Sequence, residues 1–225
     1  MIEPHLKDDD LLQDIATAPA ADECFHMWWL GQSGFLLKWG QRFLLMDPYL
    51  SDSLTAKYAA TDKPHIRMTA LPVDPAKLDF IDVVTSSHNH TDHLDTESLL
   101  PLLEASQDAR LLIPSANTEF VMERLGLATD GSIEGLRAGD SVCLGGFECH
   151  AIPAAHEARE FDAHGHDKFL GYVFKFGDWS VYHSGDTILF EGLEEALSAF
   201  SLDLALLPVN GRSAGRGVAG NLWGR

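Results

Sequence analysis

The hexapeptide His88-Asn89-His90-Thr91-Asp92-His93 constrains this chain more than any other stretch. It sets three imidazoles and a carboxylate directly after Phe80–Ser87, an apolar run that reads as a buried strand. Alternate side chains of an extended segment share a side, so His88 and His90 can reach one ion. A turn after His90 lets Asp92 and His93 face a second ion. Imidazole combined with carboxylate suits zinc, manganese, iron or nickel better than calcium or magnesium. The bland alternative, polar loop histidines, requires a dense coincidence of ligand-type residues.

Two further ligand-type residues have the same placement, just after a strand pattern. His156 follows Phe147–Pro153, and Asp186 follows Ser180–His183. In an α/β sheet the carboxyl ends of strands converge on one edge, so the two gain weight together. The rest of the chain supports that class. A meander is expected over Phe25–Leu30, Gly34–Trp39 and Arg42–Met46, ended by Pro48, which has no N–H for a ladder. Residues 51–80 predict loops and one short helix. Helix patterns cover Thr96–Ala105, Thr118–Leu125 and Phe190–Phe200. Further strands are expected at Leu111–Pro114, Ser141–Leu144, Phe169–Phe176 and, as a buried strand, Leu204–Val209. Strand alternating with helix reads as a single α/β domain. Trp28, Trp29 and Trp39 read as core or sheet-face residues rather than a stacking platform.

Composition narrows the function. A length of 225 residues fits one domain with a sizeable core. The net charge of −18 argues against nucleic acid as partner, because affinity for phosphates comes from Lys and Arg. Residues 1–24 carry seven acids against Lys7 and read as an acidic leader, with a short helix near Leu11–Ala18 that Pro19 would end. Cys24, Cys143 and Cys149 form no CxxC pair, which fits a reducing compartment. No apolar run is long enough for a bilayer, and the acidic start is unlike a signal peptide. The expectation is a cytoplasmic protein without a membrane partner, with room for a homo-oligomer. Nucleophile chemistry finds little support: there is no GxxxxGK loop, and no cysteine beside the His88–His93 cluster.

His88-x-His90-x-Asp92-His93, then His156, then Ser184-Gly185-Asp186-Thr187, resembles the metallo-β-lactamase superfamily. Asp47, after an early strand, matches that family's first motif. Met27-Trp28-Trp29-Leu30-Gly31, Tyr182-His183-Ser184-Gly185-Asp186 and Asn210-Gly211-Arg212 carry a finer resemblance, to the branch that includes bacterial L-ascorbate-6-phosphate lactonase. The resemblance implies an αββα sandwich and two divalent metal ions, zinc or manganese. His88, His90 and His156 would hold the first ion, Asp92 and His93 the second, and Asp186 would bridge them. Asp47, Asp95 and His183 would orient the ligands from behind. The implied chemistry is a hydrolase in which metal-bound hydroxide attacks a lactone or other ester, with Asp92 and Asp186 in catalytic roles. A phosphodiesterase similar to N-acyl phosphatidylethanolamine phospholipase D is the alternative.

The family pattern also has a late histidine, and no histidine follows His183 here. The expectation is a domain stopping before its last strand–helix portion, as a fragment of a longer protein. A shortened chain keeping one good metal site, or a noncatalytic metal-binding module, are the alternatives. On the substrate side, His156–Lys168 reads as a pocket rim. Asn210, Arg212 and Arg216, in a glycine-rich stretch, can bind the phosphate or carboxylate of a small anionic substrate.

Overall fold

The computed structural model describes residues 1–62, 65–209 and 222. The chain divides into two compact units, Met1–Val84 with His90–Ala109, and Thr85–Asn89 with Arg110–Arg225.

In the first unit the expected meander forms as β1 (Phe25–Gly31), β2 (Gly34–Trp39) and β3 (Arg42–Met46). Its antiparallel register pairs Phe25 with Trp39 and Phe35 with Met46. Val83 and Val84, the start of β4 (Val83–Thr85), join β3 in parallel. The long apolar run Phe80–Ser87 thus yields a strand of only three residues. Leu36, Leu37, Leu44, Leu45, Val83 and Val84 are wholly buried, alongside Leu94, Leu99 and Leu102. Of these, Leu99 and Leu102 lie on α3 (Thr96–Ala105). The acidic leader contains α1 (Asp8–Thr17), whose Leu11 and Ile15 are buried. Trp28 donates its indole N–H to Asp14, at 2.8 Å. Trp29, in contrast, is 59% exposed. The short helix expected within 51–80 is α2 (Ser53–Tyr58).

In the second unit β5 (Arg110–Pro114), α4 (Thr118–Leu125) and β6 (Ile133–Leu136) form a parallel crossover with Leu111 opposite Ile133. The sequence pattern missed β6, which carries a glycine at its third position. The other sheet has five strands, in the order β11-β10-β9-β8-β7. These are β7 (Ser141–Leu144), β8 (Phe147–Pro153), β9 (Leu170–Phe176), β10 (Trp179–His183) and β11 (Leu204–Leu206). Neighbours are antiparallel except β10 and β11, which are parallel. Its core includes Phe147, Cys149, Tyr172, Val173, Phe174 and Val181. Two expectations are corrected. The helix of Phe190–Phe200 shrinks to α5 (Leu193–Leu197), because Gly192 enters it with φ of 99°, outside helical space. The strand at 204–209 is shorter and less buried than its apolar sequence suggests, with Leu207 42% and Val209 63% exposed. The result is an α/β fold with two mixed sheets.

Candidate metal centre

Strand direction places the ligand-type residues of the second unit. β8 and β10 each run antiparallel to β9, so they point the same way and both end at the edge where β9 begins. His156 lies just past the end of β8 and Asp186 just past the end of β10. Their Nε2 and Oδ2 atoms are 3.7 Å apart. Thr187 fastens the two loops: its hydroxyl accepts from the Ala155 N–H at 3.1 Å and donates to the Ile188 carbonyl. The Ile188 N–H returns a bond to the Ala155 carbonyl at 2.8 Å.

His88 reaches the same edge by backbone pairing. The Ser86 N–H donates to Leu112 of β5, and the Leu170 N–H at the start of β9 donates to the Ser87 carbonyl. A ring nitrogen of His88 comes within 4.8 Å of one on His156, and in a separate grouping a ring nitrogen of His88 comes within 4.8 Å of an Asp186 carboxylate oxygen. Phe169 backs both imidazoles, with its ring centroid 4.9 Å from His88 and 5.6 Å from His156. Ser87 Oγ lies 3.0 Å from His88 Nδ1. With the proton on Nδ1, the imidazole donates to Ser87 and presents the Nε2 lone pair as a ligand. Gly185 is required by this crowding. Its φ is +57°, and a Cβ there would lie 2.5 Å from Cβ of Ser87. Imidazole nitrogens and a carboxylate oxygen paired at these distances are donors of the kind a borderline divalent ion takes.

In the first unit the hexapeptide's second half is a turn, with the His93 and Leu94 N–H groups both donating to the His90 carbonyl. His93 is buried, and its Nδ1 lies 2.7 Å from Oδ2 of the fully buried Asp47. Asp92 is partly exposed, and its Oδ2 lies 3.8 Å from His93 Nε2. His90 is exposed. The carboxylate of Asp95 accepts from the hydroxyls of Ser53 and Ser98, which ties α2 to α3. Back in the second unit, His183 is buried at the end of β10, opposite Tyr172.

The rim expected at His156–Lys168 is an ordered loop. Arg159 makes a double hydrogen bond with Asp167, both at 2.8 Å. Asp162 accepts from the His164 and His166 N–H groups, and its carboxyl is held below the usual range mainly by the bond from His166. Asn210, Arg212 and Arg216 lie outside the described residues. Sequence reasoning missed Phe169 and the role of Ser87. Thr187 stands in the Ser184–Thr187 motif with no role that its sequence marks. Phe169 read only as the start of a strand, and nothing local marks an aromatic as a backing for histidines.

Residues 42–218 match the family described as the β-lactamase superfamily domain. A UPF0173 metal-dependent hydrolase from Pelotomaculum thermopropionicum is 30% identical over 184 residues, 80% of this chain and 70% of that protein. A probable L-ascorbate-6-phosphate lactonase from Escherichia coli O127:H6 is 26% identical over 205 residues, 79% of this chain and 58% of that protein. Among solved structures, a possible metal-dependent hydrolase from Veillonella parvula superposes with a TM-score of 0.63 at 19% identity, covering 88% of this chain and 76% of that one. This likeness is of fold, and it agrees with the αββα sandwich that the motifs imply. The match over 42–218 takes in Asp47, the whole hexapeptide, His156 and Asp186, and by it the chain belongs to the metallo-β-lactamase superfamily.

Proposed function

We propose that this protein is a metal-dependent hydrolase acting on a lactone or other ester bond of a small anionic metabolite. The observation that carries the reading is the convergence of His88, His156 and Asp186 at one sheet edge, with Phe169 behind both imidazoles. His90, Asp92 and His93 are proposed as further ligands from the sequence motif, with Asp47 behind His93. A bound zinc or manganese ion would supply activation of water at neutral pH and positive charge for a developing oxyanion.

The chain's own groups do the rest. Ser87 holds the ring of His88 in place, and the Asp47 carboxylate, an acceptor, sets the tautomer of His93. Phe169 keeps water from one side of both rings. Asp92, partly exposed, can take a proton from an incoming water and hand it to the leaving alkoxide. Asn210, Arg212 and Arg216 are proposed from sequence to hold the substrate's anionic group. The kinship with a probable L-ascorbate-6-phosphate lactonase supports a sugar-phosphate lactone as the first substrate class to try.

The test is paired hydrolysis of a sugar-phosphate lactone and bis-(p-nitrophenyl) phosphate by metal-free protein, before and after Zn²⁺ or Mn²⁺. Metal-dependent lactone turnover that disappears in His88→Ala and His156→Ala supports the reading. Turnover of the diester alone replaces it with a phosphodiesterase. Absence of both metal uptake and turnover overturns it.

A further inference from the structure

In the first unit, Arg67 is a buried cation that no sequence motif marks. It is 4% exposed, and burial lowers its pKa. Among the described residues it forms no ion pair at contact distance. Its guanidinium instead gathers backbone carbonyls. Nε donates to Thr69 at 2.8 Å, and Nη1 donates to Tyr49 at 3.0 Å and Ser51 at 3.1 Å. The group lies over the Tyr49 ring, 5.1 Å from its centroid. Its Nη2 is buried without a hydrogen-bond partner among the described residues. The space for it exists because residue 31 is glycine: a Cβ on Gly31 would lie 3.1 Å from Nη2. Gly31 also has φ of +94°, so a side chain there would strain this turn and press on Thr69 Oγ1 and on the fork of Arg67.

What the fork holds is the backbone just beyond Asp47. Asp47 has φ of 40°, in the left-handed region that costs a non-glycine residue energy. It stays there because both flanks are fixed. On one side Met46 is paired with Phe35 in β2. On the other, Arg67 grips the Tyr49 and Ser51 carbonyls, and the Leu50 N–H donates to Ser98 Oγ at 2.6 Å. Asp47 in turn faces His93 Nδ1 at 2.7 Å. We infer that Arg67 is a positioning residue. By clamping Tyr49–Ser51 it holds Asp47 in its strained conformation, and through Asp47 it sets the tautomer and aim of His93. Lysine does not replace it in full, since one ammonium cannot occupy both the Nε position on the Thr69 carbonyl and the Nη1 position on the Tyr49 and Ser51 carbonyls.

The inference rests on the proposed metal reading only for its effect on affinity; the clamp itself is read in metal-free protein. Arg67→Met, Arg67→Lys and Asp47→Asn are compared with the parent chain. In metal-free protein the His93 Nδ1 proton, hydrogen-bonded to Asp47, gives a downfield NMR signal in the parent. It is expected to broaden away in both Arg67 variants while the amide spectrum stays dispersed. Titration with Zn²⁺ is expected to show affinity weakened about 10–100-fold in Arg67→Met, as for loss of a group orienting a ligand. Arg67→Met combined with Asp47→Asn should be little weaker than Asp47→Asn alone, because the two act in series. If the methionine variant does not fold, the lysine variant carries the comparison. An unchanged His93 signal in a folded Arg67 variant overturns the inference, as does full additivity of the two losses. A parent chain that takes up no zinc overturns the proposed function, while the proton signal still decides the clamp.

Discussion

At the scale of single residues, close approach decides which side chains are tolerated. Gly185 combines a left-handed φ with a Cβ position that would overlap Ser87. Gly185→Ala should therefore cost about 2–4 kcal/mol, from overpacking and backbone strain together. Urea unfolding would read the loss, and a cost below about 1 kcal/mol would show that the loop shifts freely. The cysteines make a second case. Burial pushes the Cys149 thiol from 9.0 up to about 12, whereas Cys143 is exposed. Iodoacetamide at pH 8 should label Cys143 and spare Cys149 until the chain unfolds. The sign follows from linkage. The folded state favours the neutral thiol, so this contribution to stability is intact below pH 9 and fades as pH rises toward about 12. Mass mapping that finds Cys149 labelled in folded protein would contradict the burial. Residue types alone mark the hexapeptide, because three imidazoles and a carboxylate within six residues are dense, whereas His156 and Asp186 gain weight only from their place after strands and from the family resemblance. Ser87, Phe169 and Arg67 were not legible: serine, phenylalanine and arginine are common, and their roles come from contacts that only the folded chain makes.

At the scale of elements, periodicity locates strands and helices where the apolar pattern ends with the backbone pairing or the helical turn, as at Ser141–Leu144. The expected span Thr96–Ala105 is the observed α3, and Thr118–Leu125 is α4. The pattern overran where apolar residues continue past the pairing, as in Phe80–Ser87 and Leu204–Val209, since hydrophobicity reports burial and not ladder bonds. A charge pattern misled less than it hid. The acidic leader contains α1, whose last turn has no basic residue to meet the helix dipole. Lys38, a buried residue of β2, supplies that charge from outside: Nζ donates to the carbonyls of Ile15 at 2.8 Å and Ala18 at 2.7 Å. Lys38→Met should leave those carbonyls without their donor, at a cost of about 1–3 kcal/mol. Hydrogen exchange should then speed up in α1 well before the strands of the meander. Equal acceleration in α1 and β2 would mean that Lys38 supports the whole unit and not one helix.

At the scale of the whole molecule, the net charge of −18 and the proposed centre both make stability sensitive to cations, by different routes. Excess negative charge repels itself, and any salt relieves part of that by screening. A specific site stabilises by mass action, about 2.7 kcal/mol at a free-ion concentration one hundred times Kd. For a domain of this size that is about 5–11 °C in Tm. Chelator-treated protein in 150 mM KCl should gain this much on adding Zn²⁺, because screening is already largely complete. Mg²⁺ at the same concentration should add little, since it prefers oxygen ligands and keeps its water. His156→Ala should lose most of the zinc shift while keeping the response to KCl. Equal shifts with Zn²⁺ and Mg²⁺, or a zinc shift unchanged in His156→Ala, would assign the stabilisation to the acidic surface and remove the histidine and aspartate cluster from the account.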